Sequence, residues 1–128
     1  MFDAATGQPV ALLDGTSITT ARTAAGSALA TDLLARPDAD RLAIVGTGVQ
    51  ARAHAHAVVR VRRFSELRIA RDRGRAESLA AELRDVLDLD VVVAASAADA
   101  CAGADVVCLT TGAAEPLVGR MTSLPERT

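Results

Sequence analysis

Leu42-Ala43-Ile44-Val45-Gly46-Thr47-Gly48-Val49-Gln50-Ala51 is the stretch that decides the fold. A short, unbroken apolar run ended by glycine predicts a strand covered on both faces, and 49–61 predicts a helix directly behind it. Gly46 to Ala51 fits G-x-G-x-x-A, a pattern that gains weight from standing between a buried strand and a helix. Gly46 permits the tight turn off the strand. Gly48 lets backbone approach a pyrophosphate that any Cβ would strike, and Ala51 keeps helix and strand close. The helix start then presents unpaired N–H groups and a positive dipole end to phosphates. A plain strand-to-helix turn is the competing reading.

Working outward, apolar runs at 67–70, 91–94 and 106–109 predict three further strands, with helices over 75–87 and 97–102 between them. Strands joined by helical crossovers imply a parallel sheet covered on both faces, hence an α/β, doubly wound, mostly parallel Rossmann-type fold. Such sheets normally run to five or six strands, so this one reads as incomplete. Residues 117–128 show no clear period. Upstream, 1–16 predicts a short strand pair, with turns at Ala4-Ala5-Thr6-Gly7-Gln8-Pro9 and Asp14-Gly15 and a strand over 10–13. A connecting helix, capped by Thr16 or Ser17, runs to about Ala35 and is stopped by Pro37. The chain therefore divides at 1–36 and 37–128.

The end of the second strand selects among dinucleotides. An Asp or Glu about 20 residues past the glycines accepts from the ribose 2′-OH in NAD sites. Here the strand ends Ala70-Arg71-Asp72-Arg73, so an arginine arrives first. Arg71, with Arg73 or Arg75 near it, suits a 2′-phosphate through charge-assisted hydrogen bonds, which favours NADP(H) over NAD(H). Asp72 takes the hydroxyl instead if the register shifts by one, and a solvated arginine at a strand end is the plain alternative.

Composition excludes several other chemistries. The chain has 128 residues, half of them hydrophobic, with a net charge of −2, which describes a globular domain able to bury a core. All 14 basic residues are Arg, so Schiff-base and P-loop lysines are ruled out. Phe2 and Phe64 are the only aromatics, too few for base stacking, so no nucleic acid is expected as a partner. No run is long enough to span a membrane and no secretory signal is visible, so a cytoplasmic location is expected. Cys101 and Cys108 read as two reduced, buried thiols. His54 and His56 point about 200° apart around their helix, so they do not share a metal; packing or surface roles are expected and no metal site is predicted.

The chain resembles the ornithine cyclodeaminase/mu-crystallin family. The resemblance rests on Phe2-Asp3-Ala4-Ala5-Thr6-Gly7, Leu13-Asp14-Gly15-Thr16, Arg22-Thr23-Ala24-Ala25, Ile44 through Arg52, and Thr111-Gly112-Ala113-Ala114-Glu115-Pro116. It implies a homodimeric NAD(P)-dependent enzyme moving a hydride at the α-carbon of an amino acid or cyclic imine: cyclising deamination of ornithine to proline, ketimine reduction or alanine dehydrogenation. It also implies that 1–36 is a remnant of the substrate and dimerisation domain with its connecting helix, and 37–128 the cofactor domain. Carried over by position, Arg22 meets the substrate carboxylate, where its forked guanidinium suits a water-poor cleft; a helix-surface arginine is the alternative. The backbone of Val49 and Gln50 lies over the pyrophosphate, with Gly46, Thr47 and Gly48 before it. Arg71 falls where the family meets the adenosine ribose, although this stretch looks one residue short, and Thr111 lies beside the cofactor. The family's substrate-binding lysine belongs to an N-terminal region not seen here, and its catalytic aspartate follows a fifth strand, so no catalytic residue is expected in these 128. The chain reads as truncated at both ends and, alternatively, as a non-catalytic dinucleotide-binding fragment. Self-association is expected if the apolar sheet edge is uncovered.

Overall fold

Arg41–Val45 forms β1, the strand around which everything else is arranged, and Leu42 through Val45 are all buried. The computed structural model describes residues 1–118, so most of the aperiodic stretch 117–128 lies outside the described residues. On one side of β1 lies β2 (Glu66–Ala70), followed by β3 (Asp90–Val93); on the other lies β4 (Val106–Leu109). All pairings are parallel, with Leu42 opposite Leu67 and Val106, and the sheet order is β3-β2-β1-β4. The expected parallel α/β sheet is therefore present, and the chain reverses its direction of travel across the sheet between β1 and β4.

Alternation along β1 assigns the two faces. Leu42 and Ile44 face a large-residue core with Leu67, Ile69 and Val91, covered by α2 (Val49–Val58) and α3 (Arg73–Arg84). Ala43 packs instead with Ala70 and Ala100, small residues that let the short α4 (Ala97–Cys101) lie close to the opposite face. Cys101 and Cys108 are free and buried, as expected. Burial pushes both thiols up, Cys108 to about 11, so both stay protonated and unreactive at neutral pH.

The connecting helix, α1 (Gly15–Leu34), packs on α2 through Ala24, Ala28 and Thr31. Its cap is Asp14, not Thr16 or Ser17: the Asp14 carboxylate accepts from the backbone N–H groups of both those residues at 3.1 Å and from the Ser17 hydroxyl. That hydroxyl and those two N–H groups hold the Asp14 carboxyl below the usual carboxylate range, because the helix start favours its charged form. The expected strand over 10–13 does not form. Val10, Leu12 and Leu13 are exposed with no neighbouring strand to pair, and the expected strand pair contracts to one antiparallel bridge between Phe2 and Pro9. Asp3 stabilises the intervening turn by accepting from the N–H groups of Ala5 and Thr6 and from the Thr6 hydroxyl. No described helix is long and apolar enough to cross a membrane.

Candidate functional site

The carboxyl end of β1 delivers Gly46 into a gap that admits no side chain. Gly46 N–H donates to the Ala70 carbonyl at 2.9 Å, fastening the turn to the end of β2. A Cβ on Gly46 would lie 2.4 Å from Thr110 Oγ1 and 2.7 Å from the Thr110 carbonyl oxygen, and Gly46 sits at φ +143°. Both the contact and the backbone demand glycine. Thr110 is itself pinned, its N–H donating to the Val45 carbonyl at 2.9 Å. Sequence reading assigned Gly46 to the turn but had no signal for Thr110, a contact 64 positions away.

Gly48 is glycine for a different reason. A Cβ there would meet nothing within 4 Å, and its φ of −91° is open to any residue. The protein has no internal need for glycine at this position. Its bare backbone leaves room for something outside the chain, and it stands where α2 begins. Asp14 caps α1, Asp72 caps α3 and Ser96 caps α4, whereas α2, alone of the helices among the described residues, starts with no side-chain cap. Its first N–H groups therefore project, unclaimed by any side chain, past an open glycine toward the point where the chain switches sheet direction. That combination fits the pyrophosphate of a dinucleotide: donors, a positive dipole end and the space to approach them.

At the end of β2, Arg71 is exposed and held at φ 151°, a region L residues rarely occupy. Asp72 is engaged locally: its carboxylate accepts from the Arg75 N–H at 2.9 Å and caps α3. Arg73 and Arg75, on the first turn of that helix, are exposed beside Arg71. Thr47, Arg52, Gly74, Arg75 and Glu82 line a shallow cleft of about 260 Å³ next to the turn, where Glu82 holds Arg52 by two hydrogen bonds of 2.6 Å. Thr111 lies past β4, its hydroxyl accepting from the Ala113 N–H at 3.3 Å. Arg22 is exposed on α1 and makes no ion pair among the described residues. Gly46, Thr47, Gly48, Val49, Gln50, Arg71, Asp72 and Thr111 thus gather along the carboxyl end of the sheet, with Arg22 on the adjoining helix.

His54 proves to be a packing residue. Its Nδ1 lies 2.7 Å from the Gln50 carbonyl, which only accepts, so Nδ1 carries the proton; the opposite nitrogen, Nε2, meets Ser27 Oγ on α1 at 2.9 Å. The ring thus bridges Ser27 and the Gln50 carbonyl and ties α1 to the first turn of α2. His56 faces another way, as its spacing requires. One more polar group stands out: Gln50 Oε1 is buried without a partner, which costs about 1–3 kcal/mol. Neither Ser27 nor the inward-facing amide was legible from the sequence, because a single chain gives no pairing across 27 positions.

Comparison with known proteins gives a consistent picture. The family model described as Ornithine cyclodeaminase/mu-crystallin family matches residues 1–121. The chain is 41% identical over 119 residues to ketimine reductase mu-crystallin of Mus musculus, covering 92% of this chain and 37% of that protein. It is 44% identical over 111 residues to L-lysine cyclodeaminase of Streptomyces rapamycinicus, covering 86% and 32%. Among solved structures it superimposes on Thermococcus litoralis Delta(1)-pyrroline-2-carboxylate reductase in complex with NADH and L-proline. There the TM-score is 0.85 and the identity 37%, over 91% of this chain and 36% of that one. The chain thus spans about a third of the length of the curated relatives it matches.

Proposed function

The chain belongs to the ornithine cyclodeaminase/mu-crystallin family, and from that premise we propose that it supplies the cofactor site of an NAD(P)H-dependent enzyme acting on a small amino acid or cyclic imine. One observation carries the reading: among the described residues α2 alone of the helices lacks a side-chain cap, and Gly48 opens its first N–H groups to a ligand at the strand-order switch. When bound, the nicotinamide would give or take a hydride at the substrate α-carbon. The chain's own residues do the holding. Backbone N–H groups at Val49, Gln50 and Ala51 receive the pyrophosphate. Thr111 flanks the cofactor, and Arg22 grips the substrate carboxylate with its fork of donors.

We assign NADP(H) as the preferred cofactor. Support comes from Asp72, whose carboxylate is engaged in capping α3, and from Arg71, Arg73 and Arg75, exposed together at the end of β2. The assignment is tested by titrating the purified chain with NADPH and NADH and following nicotinamide emission, since the chain has no Trp or Tyr to compete. Saturable binding, tighter for NADPH and weakened by Arg71→Ala, is the expected result. Tighter NADH binding would pass the ribose role to Asp72. A folded chain that binds neither would overturn the cofactor reading.

A further inference from the structure

The glycine turn explains where a pyrophosphate would lie but not which side chains meet the two ends of the dinucleotide. The arginines at β2 lie on one side of β1 and take the adenosine end. The other end must then extend toward the β4 side, and α1 is the helix on that side: its Ser27, Ala30 and Thr31 line a groove with Val106 to Leu109 of β4. Between the first turns of α1 and α2 lies a cleft of about 650 Å³ lined by Gly15, Thr16, Thr19, Thr20, Val49 and Gln50. The Thr20 hydroxyl donates back to the Thr16 carbonyl at 2.9 Å, which leaves the hydroxyls of Thr16 and Thr19 as the polar groups of the α1 wall.

Gln50 forms part of the opposite wall, and its amide is the feature that needs a reason. Its oxygen is buried with no donor; of the buried side-chain nitrogen and oxygen atoms among the described residues only Arg62 Nε shares that condition. The backbone carbonyl of the same residue is held by His54, so the residue is anchored while its side chain remains without a partner. A primary amide both donates and accepts, and the group it complements best is another primary amide. Resting on the cofactor reading above, we propose that the Gln50 side chain rotates into this cleft and pairs with the carboxamide of the nicotinamide, making Gln50 the residue that recognises the redox end of the dinucleotide. The hydroxyls of Thr16 and Thr19 face the same ligand from α1.

The test compares two ligands on one protein. NADPH carries the nicotinamide, whereas 2′-phospho-ADP-ribose keeps the 2′-phosphate, adenosine and pyrophosphate but lacks it; NADPH is followed by emission and 2′-phospho-ADP-ribose by competition or calorimetry. Gln50→Leu, close to Gln in size, should weaken NADPH at least tenfold while changing 2′-phospho-ADP-ribose less than twofold. Gln50→Glu, which loses the donor and adds charge, should weaken NADPH further, and a thermal melt checks that both variants fold. Equal losses for both ligands, or no loss for either, would overturn the assignment of Gln50 while leaving the cofactor reading intact. A wild-type chain that binds neither ligand would overturn both.

Discussion

The two ends of the parallel sheet are built to opposite rules. At the amino end every strand start is tied down. The Asp105 carboxylate, just before β4, accepts from the backbone of Asp40 at 3.0 Å and Arg41 at 3.1 Å, and from the Arg36 guanidinium. Asp40 in turn accepts from the Ser65 N–H at 3.1 Å and its hydroxyl at 2.6 Å, and the Ser65 carbonyl accepts from Asp90 at the start of β3. At the carboxyl end the same backbone leaves a helix uncapped, an amide oxygen unpaired, a glycine facing open space and an arginine at positive φ. One end satisfies its polar groups internally and supplies stability; the other withholds them from the fold, which is what a binding site requires.

The sharpest way to break this contrast uses two glycines two positions apart. Gly46→Ala should lower folding stability by ~3 kcal/mol or more, since its methyl would overlap the Thr110 backbone at a φ that alanine resists. Gly48→Ala should leave stability within ~0.5 kcal/mol, because its methyl meets nothing in the protein. It should instead weaken NADPH at least tenfold. Denaturant unfolding and nicotinamide emission on both variants separate the two effects. Equal destabilisation by both would mean that Gly48 serves the fold after all.

Asp105 tests the opposite end. Asp105→Asn should cost about 1–2 kcal/mol at pH 7 while leaving NADPH affinity unchanged. The backbone N–H groups of Asp40 and Arg41 and the charges of Arg36 and Arg41 hold the Asp105 carboxyl below the usual range, because they favour its ionised form. A depressed folded value means the stabilisation is complete above the unfolded value, about 3.9, and is lost as pH falls through the folded one. The variant and the parent should therefore converge in stability in strong acid and diverge toward neutrality. A constant gap across that window would show that shape, not charge, holds this corner.

What could be read in the sequence follows from how far each signal reaches. The strand, turn and helix around Gly46 lie within ten consecutive residues, and period and glycine placement speak directly about them. The cap of α1 lies two or three residues before the expected Thr16 or Ser17, because Asp14, Thr16 and Ser17 are all competent caps and only geometry ranks them. The strand over 10–13 was expected on apolar content alone, which says nothing about whether a neighbour exists to pair with it. Thr110 against Gly46, Ser27 on His54 and Asp105 under Asp40 join positions 27 to 65 apart. Those contacts hold the site together, and nothing local announces them.

The smallest expected effect is also the most specific. Arg71 is the one non-glycine residue at positive φ among those described, and it occupies the open end of the sheet rather than the tied one. A residue kept in such a conformation carries about 1–3 kcal/mol of strain, which glycine at the same position would not. Glycine also brings a more flexible unfolded chain, a penalty of about 0.5–1 kcal/mol. Arg71→Gly should therefore raise stability by about 1 kcal/mol, within a span from no change to about 2.5, while removing the guanidinium expected to meet the 2′-phosphate, so preference for NADPH over NADH should fall even as the melting temperature rises. Arg71→Lys keeps a charge and the strain, and should hold stability level with a smaller loss of preference, because an ammonium lacks the bidentate fork. If Arg71→Gly instead destabilised the chain, the backbone at the end of β2 would be relaxed as it stands, and its unusual conformation would no longer mark the carboxyl end as the place where the fold yields stability to binding.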